Sequence, residues 1–184
     1  MTIPEIAKKV FSWLTFDVYH WEQEMFDGSF KTFEKLKRND GVDIVAITKK
    51  WKIIILKEQQ PWREPFYWLV WWSWETWERP LYTAKRELLE ETGLESDDWE
   101  LFWEYSYSSR IQQKSHLYIA RNCEKKMEQN LDSWEKIQII ECDWEEFKSF
   151  VIDEKFRVSK FSLELLREIY LWREDDFKKR IFWE

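Results

Sequence analysis

The sequence predicts an α/β fold, a mixed sandwich of strands and helices preceded by a β extension. Three observations carry this. Strand-like runs lie on both sides of one unbroken helical segment, Pro80 to Thr92; further helical patterns come in the last quarter of the chain, besides a loose one at the start; and two strand-like runs joined by Asp27-Gly28 come before the main domain. At 184 residues the chain is long enough for one sizeable core. This reading divides it into an N-terminal extension, residues 1–40, and a main domain, residues 41–184.

Residues 1–14 alternate loosely between charged and apolar and fit a short amphipathic helix. Phe16 to Phe26 and Phe30 to Leu36 read as strands, and Asp27-Gly28 between them is a two-residue hairpin signal. Asn39-Asp40-Gly41 marks the next turn. Val42 to Thr48 and Ile53 to Gln59 follow as strands, the second so continuously apolar that it belongs inside a sheet covered on both faces. Pro61 to Pro65 is a loop carrying Arg63, and Phe66 to Val70 is a short strand. Beyond the helix, Trp99 to Ser108 and Ser115 to Arg121 are strand-like, Asn122 to Trp134 is polar enough for a mobile loop, and Glu135 to Cys142 is a strand. Asp143 can cap a helix over Trp144 to Val151. A last helix, from Ser159 or Ser162 to about Trp172, carries Phe161, Leu165, Leu166 and Ile169 on one face.

Composition narrows the function classes. A formal charge of −7 argues against a nucleic-acid backbone as a standing partner, because polyanions repel one another. It leaves room for a small anionic substrate delivered with a divalent cation. Neither a signal peptide nor an apolar run of spanning length is visible, which predicts a soluble, cytoplasmic protein without a membrane partner. Cys123 and Cys142 have no metal-ligand or redox spacing and read as isolated buried thiols. His20 and His116 are too far apart for a histidine metal site, and His116 in a strand reads as a packed or surface residue.

The helical segment carries the chemistry. Pro80 suits its first turn, and Gly93 can take the left-handed conformation just past its end. Glu87, Glu90 and Glu91 fall at i, i+3 and i+4, so three carboxylates share one face. Like charges at that spacing repel unless a cation sits among them. Either this is a solvated acidic face with Arg86 as its internal partner, or it offers oxygen ligands to a hard divalent ion such as Mg²⁺ or Mn²⁺.

The whole spaced string decides between these. From Trp72 it reads Trp72, five residues, Glu78, seven residues, then Arg86-Glu87-Leu88-Leu89-Glu90-Glu91-Thr92-Gly93-Leu94. It resembles the Nudix box, G-x5-E-x7-R-E-U-x-E-E-x-G-U with U aliphatic, at every defined position except the first, where Trp72 replaces glycine. The resemblance implies a Nudix-like α/β/α sandwich with a mixed sheet and a loop-helix-loop motif, and hydrolysis of a diphosphate that links a nucleoside to another group. It implies Mg²⁺ or Mn²⁺, with Glu87 and Glu91 as main ligands, Glu90 assisting, and Glu78 joining the metal shell or fixing the loop. Arg86 would orient a carboxylate. A proton acceptor often comes from a later loop in this family; Glu135 is the choice here, with Asp132 and Glu128 behind it, although a solvated acidic loop is the other reading. The paired strands before the main domain and the late acidic loop resemble the ADP-ribose-hydrolysing members. That implies ADP-ribose as substrate, Arg63 as a substrate-binding residue and a homodimer. Other nucleotide sugars, dinucleoside polyphosphates, or a non-catalytic nucleotide-binding module are the alternatives.

Glycine and tryptophan usage is abnormal. There are 3 glycines and 15 tryptophans, against an average glycine share of about 7%. Trp51, Trp71, Trp72, Trp77 and Trp134 sit where turns or the box call for glycine, and a bulky aromatic forms turns poorly. Either these tryptophans stand in for glycine, as they would if UGA codons meant as glycine were translated as tryptophan, or the protein is naturally rich in tryptophan. On the first reading the approach to the helix, through Trp71, Trp72 and Trp77, is expected to be distorted.

Overall fold

The architecture grows outward from two strands that are buried along most of their length and apolar there except at Asp43. These are β4 (Gly41–Thr48) and β5 (Ile53–Gln59) in a computed structural model that describes residues 2–73, 78–106 and 108–182. Val45, Ile47, Ile53 and Ile55 enter one core, and Val42, Ile44, Ala46, Ile54 and Leu56 enter another. A strand buried on both faces cannot show polar alternation, which is why these runs read as continuous. The sheet runs β12 (Lys136–Cys142), β5, β4, β11 (Lys114–Lys125), β8 (Leu94–Glu95). β6 (Phe66–Trp68) joins β5, β7 (Val70–Ser73) joins β4, and β9 (Asp98–Ser106) joins β11. β4 and β11 are parallel and their other partners antiparallel, so the sheet is mixed.

One face receives α1 (Pro80–Thr92) through Ala84 and Leu88. The other receives α2 (Trp144–Val151), α3 (Ser159–Tyr170) and α4 (Glu174–Phe182), which close over Phe147, Phe161, Leu165, Phe177 and Ile181. This is the predicted α/β/α sandwich. Asp143 caps α2 as expected, and Glu146 returns the bond: the Glu146 N–H donates to Asp143 Oδ1 at 3.0 Å and the Asp143 N–H to Glu146 Oε2 at 2.9 Å. Leu166 departs from the predicted face of α3 and lies exposed, while Phe161 and Leu165 are buried. Among the described residues no helix is long and apolar enough to cross a membrane.

Several segments differ from the sequence reading. The helix expected in residues 1–14 is instead β1 (Lys8–Ser12), paired antiparallel to β2 (Asp17–Glu24); all five of its residues are exposed, so no buried stripe exists to stabilise a helix. β2 and β3 (Phe30–Lys37) pair as foreseen, but the turn uses three residues: the Gly28 N–H donates to Met25 O at 3.0 Å and the Met25 N–H to Ser29 O at 2.7 Å, with Gly28 at φ +80°. β10 (Ile111–Gln112), unseen in the sequence, leaves the β9–β11 connection and adds to β3 in parallel, giving the order β1-β2-β3-β10. α4 also went unseen, because Phe177, Ile181 and Phe182 are its only buried residues among charges. The expected strand Phe66 to Val70 divides at Leu69 into β6 and β7, which pair with different neighbours. Cys123 and Cys142 are buried and unpaired, and burial pushes their thiols up to about 11 and about 12.

Two tryptophans have left-handed backbone: Trp51 (φ +60°) between β4 and β5, and Trp172 (φ +58°) after α3. Such a conformation costs a residue with a Cβ on the order of 1–3 kcal/mol. Trp71 and Trp72 lie instead in regular β7, paired with Asp43 and Val42. Trp134 turns without positive φ, in a turn where the Glu135 N–H donates to Asp132 O at 3.0 Å. The expected distortion therefore does not occur at Trp71 and Trp72, because an extended strand suits tryptophan. Trp77 lies outside the described residues.

Phe161 is fully buried among Trp103, Phe147 and Phe177, with ring centroids 5.7–6.3 Å away. Phe161→Ala should lower stability by about 3–5 kcal/mol, as cavity-forming aromatic truncations do; urea denaturation would measure this. A loss below about 1 kcal/mol would show that this face is not a packed core.

Candidate active site

Helix α1 lies with one side in the second core and the adjoining side turned to its own carboxylates. Ala84 and Leu88 anchor it, and the i to i+4 repeat then sets Glu87 and Glu91 one turn apart, at 3% and 6% exposure. Gly93 ends the helix at φ +69°, its N–H donating to Leu89 O at 2.8 Å. A Cβ there would lie 2.1 Å from Met127 O, so only glycine fits.

Arg86 binds the predicted acidic residues into one group. Its Nη1 lies 2.5 Å from Glu87 Oε1 and donates to Glu90 Oε2 at 2.8 Å, while Nη2 is 3.5 Å from Glu78 Oε2. Thr83 Oγ1 also donates to Glu78 Oε2, at 2.7 Å. Glu78 is thus held against the first turns of α1. Glu87 Oε1 is buried with the Arg86 guanidinium as its ion-pair partner, whereas Glu91 Oε2 is buried without a hydrogen-bond partner. A buried carboxylate oxygen in that position is costly unless protonated or joined by a cation.

The electrostatics follow from this burial. Desolvation lifts the Glu87 carboxyl to about 8, against partial relief from Arg86. Glu91 is raised well above the ordinary carboxylate range by burial and by Glu87, Glu135 and Glu58, with a backbone hydrogen bond at Trp71 opposing. Glu135 is raised to about 7, first by burial. Glu58, at the polar end of β5, is raised by burial too; it accepts from Gln60 Nε2 at 2.6 Å and acts on both Glu91 and Glu135. The sequence reading missed Glu58, although a carboxylate closing an apolar central strand was a usable signal.

The late segment is bonded to α1 rather than forming the free loop expected. β11 continues to Lys125 through a bulge at Asn122. The Lys126 and Met127 N–H groups then donate to Gly93 O at 2.8 and 3.2 Å, and the Asn130 N–H donates to Glu90 O at 2.9 Å. Gln129 Nε2 donates to Glu91 O at 2.6 Å and to Ile137 O at 3.3 Å. These bonds satisfy carbonyls that a helix end leaves open and set Glu135 against the α1 carboxylates. Gln129 is a second missed residue. Of the alternatives to Glu135, Asp132 is exposed at the start of the same turn, and Glu128 pairs outward with Lys125 at 3.5 Å.

Glu135 also lines a cavity of about 680 Å³ with Arg63, Trp62, Trp134, Gln60 and Lys136. Trp134 stacks on Trp62 and lies tilted to Trp72, each 6.3 Å away. Among the described residues, no three acidic, histidine or cysteine side chains converge closely enough to enclose a metal unaided. The donor set still fits Mg²⁺ or Mn²⁺: Glu91 Oε2 is buried without a partner one turn from the Glu87 carboxylate, and Mg²⁺ is ordinarily held by one or two carboxylates with water and phosphate completing its shell.

A carboxyl raised by folding stabilises the protein while protonated. That contribution is full below about 4.5, its unfolded value, and is lost as pH rises through the folded values of about 7 and about 8. The melting temperature in chelator should therefore fall between about pH 4.5 and about pH 8, and Mg²⁺ should restore most of the loss at the upper end. A melting temperature that rises over this interval in chelator would contradict the buried-carboxylate account.

Comparisons with known proteins agree with this geometry. The NUDIX domain family matches residues 37–168. A methanol dehydrogenase activator from Bacillus methanolicus is 28% identical over 140 residues, 74% of this chain and 76% of that protein. The crystal structure of an ADP compounds hydrolase superposes with a TM-score of 0.72 over 92% of both chains at 16% identity, a likeness of fold. With the family match spanning the sheet, α1 and the late segment, the chain belongs to the NUDIX domain family.

Proposed function

We propose that this protein hydrolyses a nucleoside diphosphate linked to a second group, with ADP-ribose as substrate and AMP and ribose 5-phosphate as products. One observation carries the reading: Glu91 Oε2 is buried without a partner one turn from buried Glu87, in the same acidic group as Glu135, which also lines the adjoining cavity with Arg63. Glu87 and Glu91 would hold Mg²⁺ or Mn²⁺, with Glu90 assisting and Glu78 bracing the loop. When bound, the ion neutralises phosphate charge and lowers the pKa of the attacking water. Arg86 holds the Glu87 and Glu90 carboxylates in place. Glu135, raised to about 7, is suited to take a proton near neutral pH. Arg63 lines the cavity, and its planar guanidinium suits a phosphate.

The test is incubation with ADP-ribose, other nucleotide sugars and dinucleoside polyphosphates in Mg²⁺, with the products resolved. ADP-ribose should be cleaved fastest. Glu91→Gln should remove nearly all turnover while keeping the fold, since it preserves shape and deletes a ligand charge. Wild-type rates at saturating Mg²⁺ would remove Glu91 from the metal shell.

The same reading includes a homodimer. Phe11, Trp13, Phe16, Phe26, Phe30 and Phe33 of the β1–β3 region are all exposed, more aromatic surface than a small sheet usually leaves to water. Light scattering at micromolar concentration should give twice the chain mass, and a monomer would rule the dimer out.

A further inference from the structure

Every left-handed residue in the described chain sits at a turn or bulge, and they form two matched pairs and one singleton. Gly28 and Trp51 close the same kind of hairpin turn. Gly28 donates to Met25 O at 3.0 Å while Met25 donates to Ser29 O at 2.7 Å; Trp51 donates to Thr48 O at 2.9 Å while Thr48 donates to Lys52 O at 2.8 Å. Gly93 and Trp172 both follow a helix end, at φ +69° and +58°. After α3, Trp172 donates to Ile169 O at 3.1 Å and Arg173 to Glu168 O at 2.8 Å, the paired closure in which the left-handed position ordinarily falls to glycine. The singleton is Asn122, a residue type that tolerates this backbone.

Tryptophan has neither glycine's freedom nor the short polar side chain that lets asparagine bond locally. Packing does not explain its presence at both sites. Trp51 lies 6.0 Å from the Phe182 ring and is 54% exposed, but Trp172 is 95% exposed. Neither residue lines the cavity beside Glu135. Tryptophans with an evident structural task look different: Trp144 is buried and its Nε1 donates to Glu174 Oε1 at 2.8 Å.

We propose that Trp51 and Trp172 occupy positions the fold built for glycine, and that the natural polypeptide carries glycine there, and at Trp72, because its gene is read with UGA as glycine. Trp172 is not among the positions where turns or the box call for glycine in the sequence, so the backbone identifies it independently of the composition. At Trp72 the backbone is extended, and the argument is the box spacing; its indole lies tilted 6.3 Å from the Trp134 ring. The inference does not depend on the substrate assignment.

Two measurements test it. Sequencing the gene should show UGA at codons 51, 72 and 172 and UGG at codon 144; UGG at 51 or 172 overturns the proposal. In the tryptophan-bearing chain, Trp172→Gly should raise the melting temperature by about 2–4 °C, and Trp172→Ala by less than half as much, since alanine removes the indole but keeps the Cβ. Trp51→Gly should gain less than Trp172→Gly, because the Phe182 contact is lost. If Trp172→Gly melts no higher than Trp172→Ala, the position was not built for glycine and the proposal fails.

Discussion

The burial of like charges on α1 is the constraint around which this molecule is arranged. Glu87 and Glu91 are drawn out of water because Ala84 and Leu88, on the same helix, must pack on the sheet. Hydrophobic burial of a few aliphatic groups thus holds carboxylates where, metal-free, they resist ionising. Arg86 offsets part of that resistance by reaching Glu78, Glu87 and Glu90 together, and it leaves Glu91 uncompensated. The site is tense in one place, and the surrounding sandwich bears the strain.

That sandwich explains why the helix does not escape. α1 is pinned at its start by Arg79-Pro80 and the Glu78–Thr83 bond, along its length by the second core, and at its end by donors from residues 126–130. The opposite face of the sheet has its own aromatic core beneath α2, α3 and α4. Each core can tolerate change without directly disturbing the other, because β4 and β5 divide their side chains between them.

Much of this was legible in the sequence, and the reasons are particular. β4, β5 and α1 carry unambiguous patterns, and the spaced glutamates of α1 fix their own grouping through helical geometry, so the sandwich and the acidic face could be read directly. Asp143 and Gly93 were legible because a cap is a local bond. What failed depended on distant partners. β1 is an exposed strand with no buried stripe, β10 is two residues long and exists through its pairing with β3, and the tether from Gln129 to Glu91 links residues 38 apart. Glu58 belongs to the site only because β5 lies beside β12. The backbone of Trp71 and Trp72 is set by pairing with β4, which composition does not reveal.

The strand β10 has a consequence for how the chain holds together. The Leu36 and Arg38 N–H groups donate to Arg110 O and Gln112 O, at 3.0 and 3.1 Å, so the first three strands are sealed by a piece borrowed from the middle of the chain. Such a splice closes a loop of roughly seventy residues, a type of contact whose entropy must be met late in assembly. During synthesis the leading hairpin emerges long before its fourth strand, and it waits with one edge open until the connection between β9 and β11 has left the ribosome. The front of the protein therefore stays open until residue 112 has been made, and a chain released before then presents that edge to its neighbours.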